Sequence, residues 1–492
     1  MPDPWFEGRF PCSRHVGGVL LLVLAGACHR GAATPRTDVP PVAAPGAAQG
    51  PTAASCAAQV ASATVSLANT PVTDPLVTFD TAWAIIARTH WDTTYNGVNW
   101  RALRDTLRPR AAAAKTTGEL RGILSGMLGR LKQSHFSIIP REVSDATTGG
   151  SGAGPMVDQN GTIGTTLRYL DGQIVVTEAP TSSAAAQAGV QAGWVVEAVK
   201  GCPVSSRLAR IPRDMDPRRA AMTAFSLANQ MLAGPVGETV PVTFRDGDGR
   251  LRDVGIVRGS TPGTMAKFGN LPPFPAQLTH ERVQQGGKTI GIIRFNIWMP
   301  VLSPQFDAAM DSLRDTDAIL LDIRGNFGGV GGMSMGIAGH FLDSARTIGT
   351  MHQRGSTYKF LANPRRVNTR SQAVTPFAGP LGLLVDELSV STTEIFAGGL
   401  QALGRARVFG TQTSGQALPS VPERLPNGDI LYHAIADFTS PTGKPLEGDG
   451  VTPDVVTKTT RKALLEGKDP TREAALAWAV QAAKSPPKGI SP

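Results

Sequence analysis

The sequence predicts an α/β fold: a mainly parallel core sheet, an N-terminal helical domain and an inserted β-rich module. Three observations carry that expectation. Apolar residues recur at helical spacing between Phe79 and Pro140. Short strand-like runs separated by turn residues fill Met156 to Val257. From Thr289 to Gly415 strand and helix patterns alternate, the rhythm of parallel strands joined by helical crossovers.

The first residues read as an export signal rather than as fold. Arg9 and Arg14 precede the apolar run Val16 to Ala27, which is too short to span a bilayer comfortably and ends in small residues. Leu24-Ala25-Gly26-Ala27 before Cys28 resembles a bacterial lipobox, with Ala25 where leucine is usual. That resemblance implies a signal over 1–27 and a lipid anchor on Cys28. Residues 28–70 are a tether rich in Ala, Pro, Gly and Thr, which cannot bury enough apolar surface to fold.

The helical domain is expected over 71–148. Trp83 and Ile86 mark one helix, Asn96-Gly97 a turn, and a second helix follows. Leu120, Ile123, Leu124, Met127, Leu128 and Leu131 then form one broad apolar stripe, with Thr117 as the expected N-cap. Gln133-Ser134-His135-Phe136 lies just past the end of that stripe. Gly149 to Gly154 is a connector into the β-rich module, expected over 155–258. The module runs from Gly161–Leu167 to the strand Gln173–Val176, a short helix within Ser182–Val190, then Ala192-Gly193-Trp194-Val195-Val196. This order resembles a PDZ domain. The resemblance implies that Ile163, Gly164, Thr165, Thr166 and Leu167 receive a peptide as an added strand, with loop N–H groups on its terminal carboxylate.

The core is expected over 275–485. Ile290 to Phe295 is a strand. Ser303-Pro304 launches a helix as N-cap and N1, with Phe306, Met310 and Leu313 on one face. Ala318–Ile323 and Gly382–Val385 are further strands, and functional loops should gather at the C-terminal ends of such strands. One of those loops is Asp322-Ile323-Arg324-Gly325-Asn326-Phe327-Gly328-Gly329, whose glycines let backbone N–H groups approach a ligand. It lacks GxGxxG spacing and a GK[ST] end, so nucleotide binding is a poor fit. At Leu383 to Leu400 a strand turns into a helix expected over Ser391–Leu403. Ser391 therefore sits at a helix N-terminus, where free N–H groups and the dipole stabilise negative charge. Two roles are open to it from this run alone: a nucleophile in a sharp turn, or a cap in the box Ser391-x-x-Glu394. Ile430–Thr439 reads as one strand, Glu447-Gly448-Asp449-Gly450-Val451-Thr452-Pro453-Asp454 as a loop, and Thr471–Ala483 as a closing helix. Residues 486–492 are a frayed tail.

Composition excludes several classes. The 492 residues are 41% hydrophobic, as in an ordinary globular chain. The formal charge of +9 is scattered, with no basic run and few aromatics among the Lys and Arg, which describes a solvated surface and no nucleic-acid partner. Cys12, Cys28, Cys56 and Cys202 form no CxxC or Cys/His cluster, and no HExxH is present, so neither metal nor cofactor is expected. With Cys12 in the signal, at most Cys56 and Cys202 pair in the exported chain.

Taken in order, these pieces resemble the C-terminal processing (tail-specific) serine peptidases and their tricorn-type relatives, over roughly Phe79 to Ala483. The resemblance implies that Ser391 is the nucleophile. One branch of the family uses a lysine base in a G-x-x-T-x-G-K segment. Here Gly410-Thr411-Gln412-Thr413-Ser414-Gly415-Gln416 ends in Gln416, and an amide cannot take a proton. The tricorn-type branch instead implies His135 as base, Glu447 as the carboxylate that orients it, and Ser134 as the serine before the histidine. An imidazole with a pKa near 6.5 suits that work. The oxyanion would rest on the Thr392 N–H and an N–H from Gly328 or Gly329. Ser389 is the fallback nucleophile, Glu394 and Asp322 are structural, and His340, His352 and His433 have no motif support. The implied protein is an exported serine endopeptidase of the bacterial envelope or periplasm that acts on polypeptides with unstructured C-termini. Two other readings fit the same residues. One is a catalytically inactive envelope protein that binds peptides or ligands; the other is a scaffold in which only the PDZ-like module matters.

Overall fold

A computed structural model of the chain describes residues 56, 70–142, 161–271 and 273–484. The signal, most of the tether with Cys28, the Gly149–Gly154 connector and the tail lie outside the described residues. Among those described, no helix is long and apolar enough to cross a membrane.

Three helices, Pro75–Thr89, Trp100–Ala112 and Thr117–Gly129, build the N-terminal part. The stripe read from the sequence faces inward: Leu120, Leu124, Met127 and Leu128 pack on Phe79 and Ile86, and Leu425 and Leu431 of the core join the same cluster. The third helix is capped one residue earlier than expected. Thr116 Oγ1 accepts the Glu119 N–H, and the Glu119 carboxylate accepts the Thr116 N–H in return, which leaves Thr117 as the first helical residue. The helix stops at Gly129, and Leu131 is buried from the turn beyond it. The chain then pairs Ser137–Ile139 antiparallel with Ile430–Ala434. His135 is thus held between a capped helix and a paired strand.

Residues 161–259 form an antiparallel sheet around its own core of Ile163, Leu167, Val176, Val196, Val242 and Phe244. Its main strands run in the order Thr166–Leu170, Gln173–Glu178, Val195–Val199, Thr239–Arg245, Leu251–Val257. Thr166–Leu170 is an edge strand, and the helix Pro217–Leu232 packs against it. Cys56 and Cys202 are disulfide-bonded, with Cα atoms 5.4 Å apart, which ties the start of the described chain to this module.

The core sheet has the order Leu278–Gln285, Lys288–Phe295, Ala318–Asp322, Leu381–Val385, Arg407–Gly410, Val455–Val456. The first pair is antiparallel and every other pair parallel. Ala318–Asp322 and Leu381–Val385 are buried along their whole length, as unbroken apolar runs in a doubly covered sheet should be. One face carries Ser303–Leu313, Gly331–Ala338 and Thr392–Ala402 around Trp298, Phe306 and Phe396. The other carries Pro470–Ala482 through Ala475, Leu476 and Ala479.

Two further expectations are corrected here. Ser303 is already helical, because a 3-10 turn over Pro300–Leu302 leads into the helix and moves the cap position to Leu302. The stretch 430–439 is two strands in two sheets. Ile430–Ala434 pairs with Ser420–Arg424, whereas Ala436–Thr439 pairs with Arg346–Gln353. Alternation along one apolar run cannot reveal that its neighbours change half-way.

Reducing the Cys56–Cys202 bond should lower the unfolding free energy by about 2–4 kcal/mol, since the bond closes a long loop in the unfolded chain. Denaturant melts with and without reductant measure this, and coincident midpoints would show that the bond adds no stability.

Candidate active site

Ser391 immediately precedes the helix Thr392–Ala402, at the end of the turn that follows the strand Leu381–Val385, at φ 58° and ψ −120°. Few non-glycine residues adopt positive φ, and they hold it only where surrounding contacts over-determine it. Those contacts are present. The Ser391 N–H donates to the Gln416 carbonyl at 2.9 Å and to Glu394 Oε2 at 3.1 Å. The Glu394 N–H donates to the Ser391 carbonyl at 2.8 Å and the Glu394 carboxylate accepts the Ser391 N–H, so the turn keeps capping-box geometry around a strained serine.

Glu394 accounts for the turn. It is fully buried, and besides Ser391 its carboxylate accepts from Thr413 Oγ1 at 2.5 Å, the Gly415 N–H at 2.7 Å and the Gln416 N–H at 2.9 Å. Burial outweighs these donors and raises its pKa to about 7. Ser389, the fallback nucleophile, is buried and committed: its hydroxyl donates to the Ile323 carbonyl and accepts the Asp386 N–H. Asp322 is held by Arg324 and Arg294, which keep it ionised against burial.

The glycine loop lies directly against Ser391. A Cβ on Gly328 would sit 2.7 Å from Ser391 Cβ and 2.9 Å from the Val390 carbonyl oxygen, so only glycine permits this approach. The two glycines differ in their amides. Gly328 N–H donates to Asn326 Oδ1 at 3.0 Å and is not free to bind an oxyanion. The amides of Gly329 and Thr392 have no partner among the described residues. Asn326 Nδ2 is itself fixed on the Phe295 carbonyl, and Thr393 Oγ1 donates to the Asn326 carbonyl. The bridge between Trp298 and Gly329 completes the loop.

His135, at φ 60°, is a second strained non-glycine residue. Its Nδ1 lies 2.7 Å from Ser134 Oγ. Ser134 Oγ donates to Glu447 Oε2 at 2.8 Å, and the Ser134 N–H donates to Glu447 Oε1 at 2.8 Å. Glu447 therefore reaches His135 through Ser134 and not by direct contact, which corrects the simple triad expected from the sequence. A hydroxyl has one proton. With that proton on Glu447, Ser134 Oγ must accept from His135 Nδ1–H, which leaves Nε2 with a free lone pair. The ring packs beside Tyr432, centroids 5.7 Å apart, and burial lowers its pKa to about 4. Burial also raises Glu447, partly offset by donors from Ser134 and the Ala417 N–H. The serine and histidine halves meet at residues 416–417: Gln416 accepts from Ser391, and Ala417 donates to Glu447.

Residues from the β-rich module also touch these loops, and no sequence signal marked them. Arg168 Nε donates to Asp386 Oδ2 at 2.8 Å, while Asp386 Oδ1 accepts the Gly325 N–H at 2.8 Å. Phe225 packs on Phe327 with centroids 5.5 Å apart. A cavity of about 960 Å³ opens between the edge strand, the helix Pro217–Leu232 and the ends of the core strands at Val385 and Thr411.

Two stretches of the chain match known families. Residues 289–457 match Peptidase family S41, and residues 71–129 match the Tricorn protease C1 domain. The chain is 26% identical over 384 residues to carboxyl-terminal-processing peptidase 3 of Arabidopsis thaliana, covering 76% of this chain and 67% of that one. It is also 26% identical over 384 residues to a carboxyl-terminal-processing protease of Picosynechococcus, covering 76% and 81%.

The chain carries a peptidase family S41 domain at residues 289–457.

Its fold is similar to that of the photosystem II D1 C-terminal processing protease, with a TM-score of 0.53 and 20% identity over 81% of this chain and 99% of that one. Mature CPAF gives a TM-score of 0.55 at 13% identity, covering 83% and 98%. The protein is accordingly an S41 serine peptidase of the C-terminal processing type, a hydrolase of peptide bonds.

The Gln416 side-chain amide donates to Ser414 Oγ, and its backbone N–H and carbonyl serve Glu394 and Ser391, so the residue braces the serine turn. A raised carboxylate pKa costs stability as pH rises. Glu394 lends its full contribution below its unfolded pKa of about 4.3 and loses it as pH climbs through its folded value of about 7. Glu394→Gln should flatten the decline in melting temperature across that interval. An unchanged slope would mean another group is responsible.

Proposed function

We propose that Ser391 attacks the scissile carbonyl to form an acyl-enzyme, with His135 as general base and the Gly329 and Thr392 amides receiving the oxyanion. The observation that carries this reading is the Glu447–Ser134–His135 relay, which fixes the imidazole tautomer with Nε2 able to take a proton. The low pKa of His135 keeps it neutral at pH 7, as a base must be. As the Ser391 proton arrives, positive charge develops on the ring, and Glu447 stabilises it through the Ser134 hydroxyl. The same imidazolium then protonates the leaving amine, and water deacylates the serine by the reverse path.

The β-rich module is read as PDZ-like. Its edge strand Thr166–Leu170 has an unpaired side, the loop Ile163-Gly164-Thr165 precedes it, and Thr165 Oγ1 is buried without a partner. These features suit a peptide added as a strand with its terminal carboxylate at the loop. The function that follows is exported cleavage of unstructured C-terminal tails of envelope proteins, with the enzyme held at the membrane through lipidated Cys28. The proposed domains are 1–27 signal, 28–70 tether, 71–148 helical, 155–258 PDZ-like, 275–485 catalytic and 486–492 tail.

Ser391→Ala should abolish cleavage of an unfolded protein by the soluble form starting near Cys56, by more than about a thousandfold. Cleavage that persists would identify a contaminant or another nucleophile. Ser134→Ala should lower kcat about 10²- to 10⁴-fold, because the relay loses its middle member; wild-type turnover would remove Ser134 from the mechanism. For tail capture, a peptide with a free C-terminal carboxylate should show a lower KM than its amidated twin. Equal values would sink the PDZ reading.

A further inference from the structure

Arg218 is the second residue of the helix Pro217–Leu232, in the β-rich module. All five of its N–H donors are used. Nε donates to Asp216 Oδ1 at 3.2 Å and Nη2 to Asp216 Oδ2 at 3.0 Å. Asp216 is the N-cap of the same helix and also accepts the backbone N–H groups of Arg218 and Arg219, so the guanidinium plane is set before it meets the core. Nη1 donates to the Thr413 carbonyl at 3.1 Å and the Asp449 carbonyl at 3.0 Å, and Nη2 to the Gly448 carbonyl at 2.8 Å.

Those three carbonyls belong to the two loops that hold the site's carboxylates. Thr413 donates through Oγ1 to Glu394, which grips the Ser391 turn. Gly448 follows Glu447, which ends the histidine relay. The loops are joined to each other by Gly448 N–H to the Gly415 carbonyl, Val451 N–H to Thr413 Oγ1 and Thr413 N–H to the Val451 carbonyl. Arg218 closes the open side of that ladder.

We infer that Arg218 is a positioning residue for the peptidase reaction, a clamp by which the β-rich module sets the spacing of the Glu394 and Glu447 loops and so aligns Ser391 with the His135 relay. The inference rests on the proposed Ser391–His135–Glu447 site. It gives the module a share in the chemistry separate from tail capture. Deleting Met156 to Val257 would therefore lower turnover even of a substrate too short to reach the module.

The test uses a short peptide ester and the full soluble enzyme. Arg218→Ala should lower kcat about ten- to a hundredfold with KM within about twofold of wild type, because misplaced groups slow the reacting step and not binding. Added methylguanidinium should recover part of that loss, which a general destabilisation would not allow. Arg245→Ala, which breaks the half-buried pair with Glu197 in the same module, is the control and should leave kcat unchanged. If Arg218→Ala does not fold, Arg218→Lys keeps the charge but cannot span three carbonyls and should show the same kcat deficit. Wild-type kcat in a folded variant, or a rise in KM alone, would overturn the inference. Labelling of the wild type by a fluorophosphonate separates the two levels: absence of label on Ser391 would defeat the site assignment itself.

Discussion

Much of the site depends on one buried carboxylate. Glu394 has been removed from water and is surrounded by four donors from two segments of chain. Leaving any of those donors unmade inside the protein would cost more than the bond is worth when formed, so the group tolerates little displacement. Its position at the third residue of the helix Thr392–Ala402 also places negative charge near the positive end of the dipole. The result is a serine turn that cannot relax to ordinary helical angles without breaking this set. Strain at Ser391, at φ 58°, is thereby stored.

The second half of the site is positioned by strand pairing. His135 lies six residues beyond the last turn of its helix, and pairing of Ser137–Ile139 with Ile430–Ala434 brings it to the core. The Leu425 and Leu431 contacts with the helical stripe bury that junction. Once there, Ser134 uses both its N–H and its hydroxyl on Glu447, so one carboxylate holds the backbone and the hydroxyl that faces His135 Nδ1. A shift in the backbone would displace that hydroxyl along with it.

Division of labour in the glycine loop follows from the same accounting of donors. Asn326 takes the Gly328 amide, Gly328 gives room to Ser391 by lacking a side chain, and Gly329 keeps an unpaired amide. Arg168, Phe225 and Arg218 then reach across from the module to Asp386, Phe327 and the 448–449 loop. The β-rich module is consequently built into the walls of the site.

The sequence by itself determined the elements and their order: the apolar stripe 120–131, the parallel strands near 290, 319 and 382, the serine at a strand-to-helix turn, and the ordered residues Ser391, His135 and Glu447. Periodicity and turn chemistry are local, so they are legible in one dimension. Tertiary structure alone decided that Thr116 and not Thr117 caps its helix, that 430–439 divides between two sheets, and that Ser134 stands between His135 and Glu447. It also decided which glycine amide is free and that Arg218 braces the two loops. The cap at Thr116 and the Asn326–Gly328 bond are local choices between neighbouring donors and acceptors, whereas Ser134–Glu447 and Arg218–Gly448 join residues hundreds apart, and a hydrogen bond of that kind leaves no period in the chain that makes it.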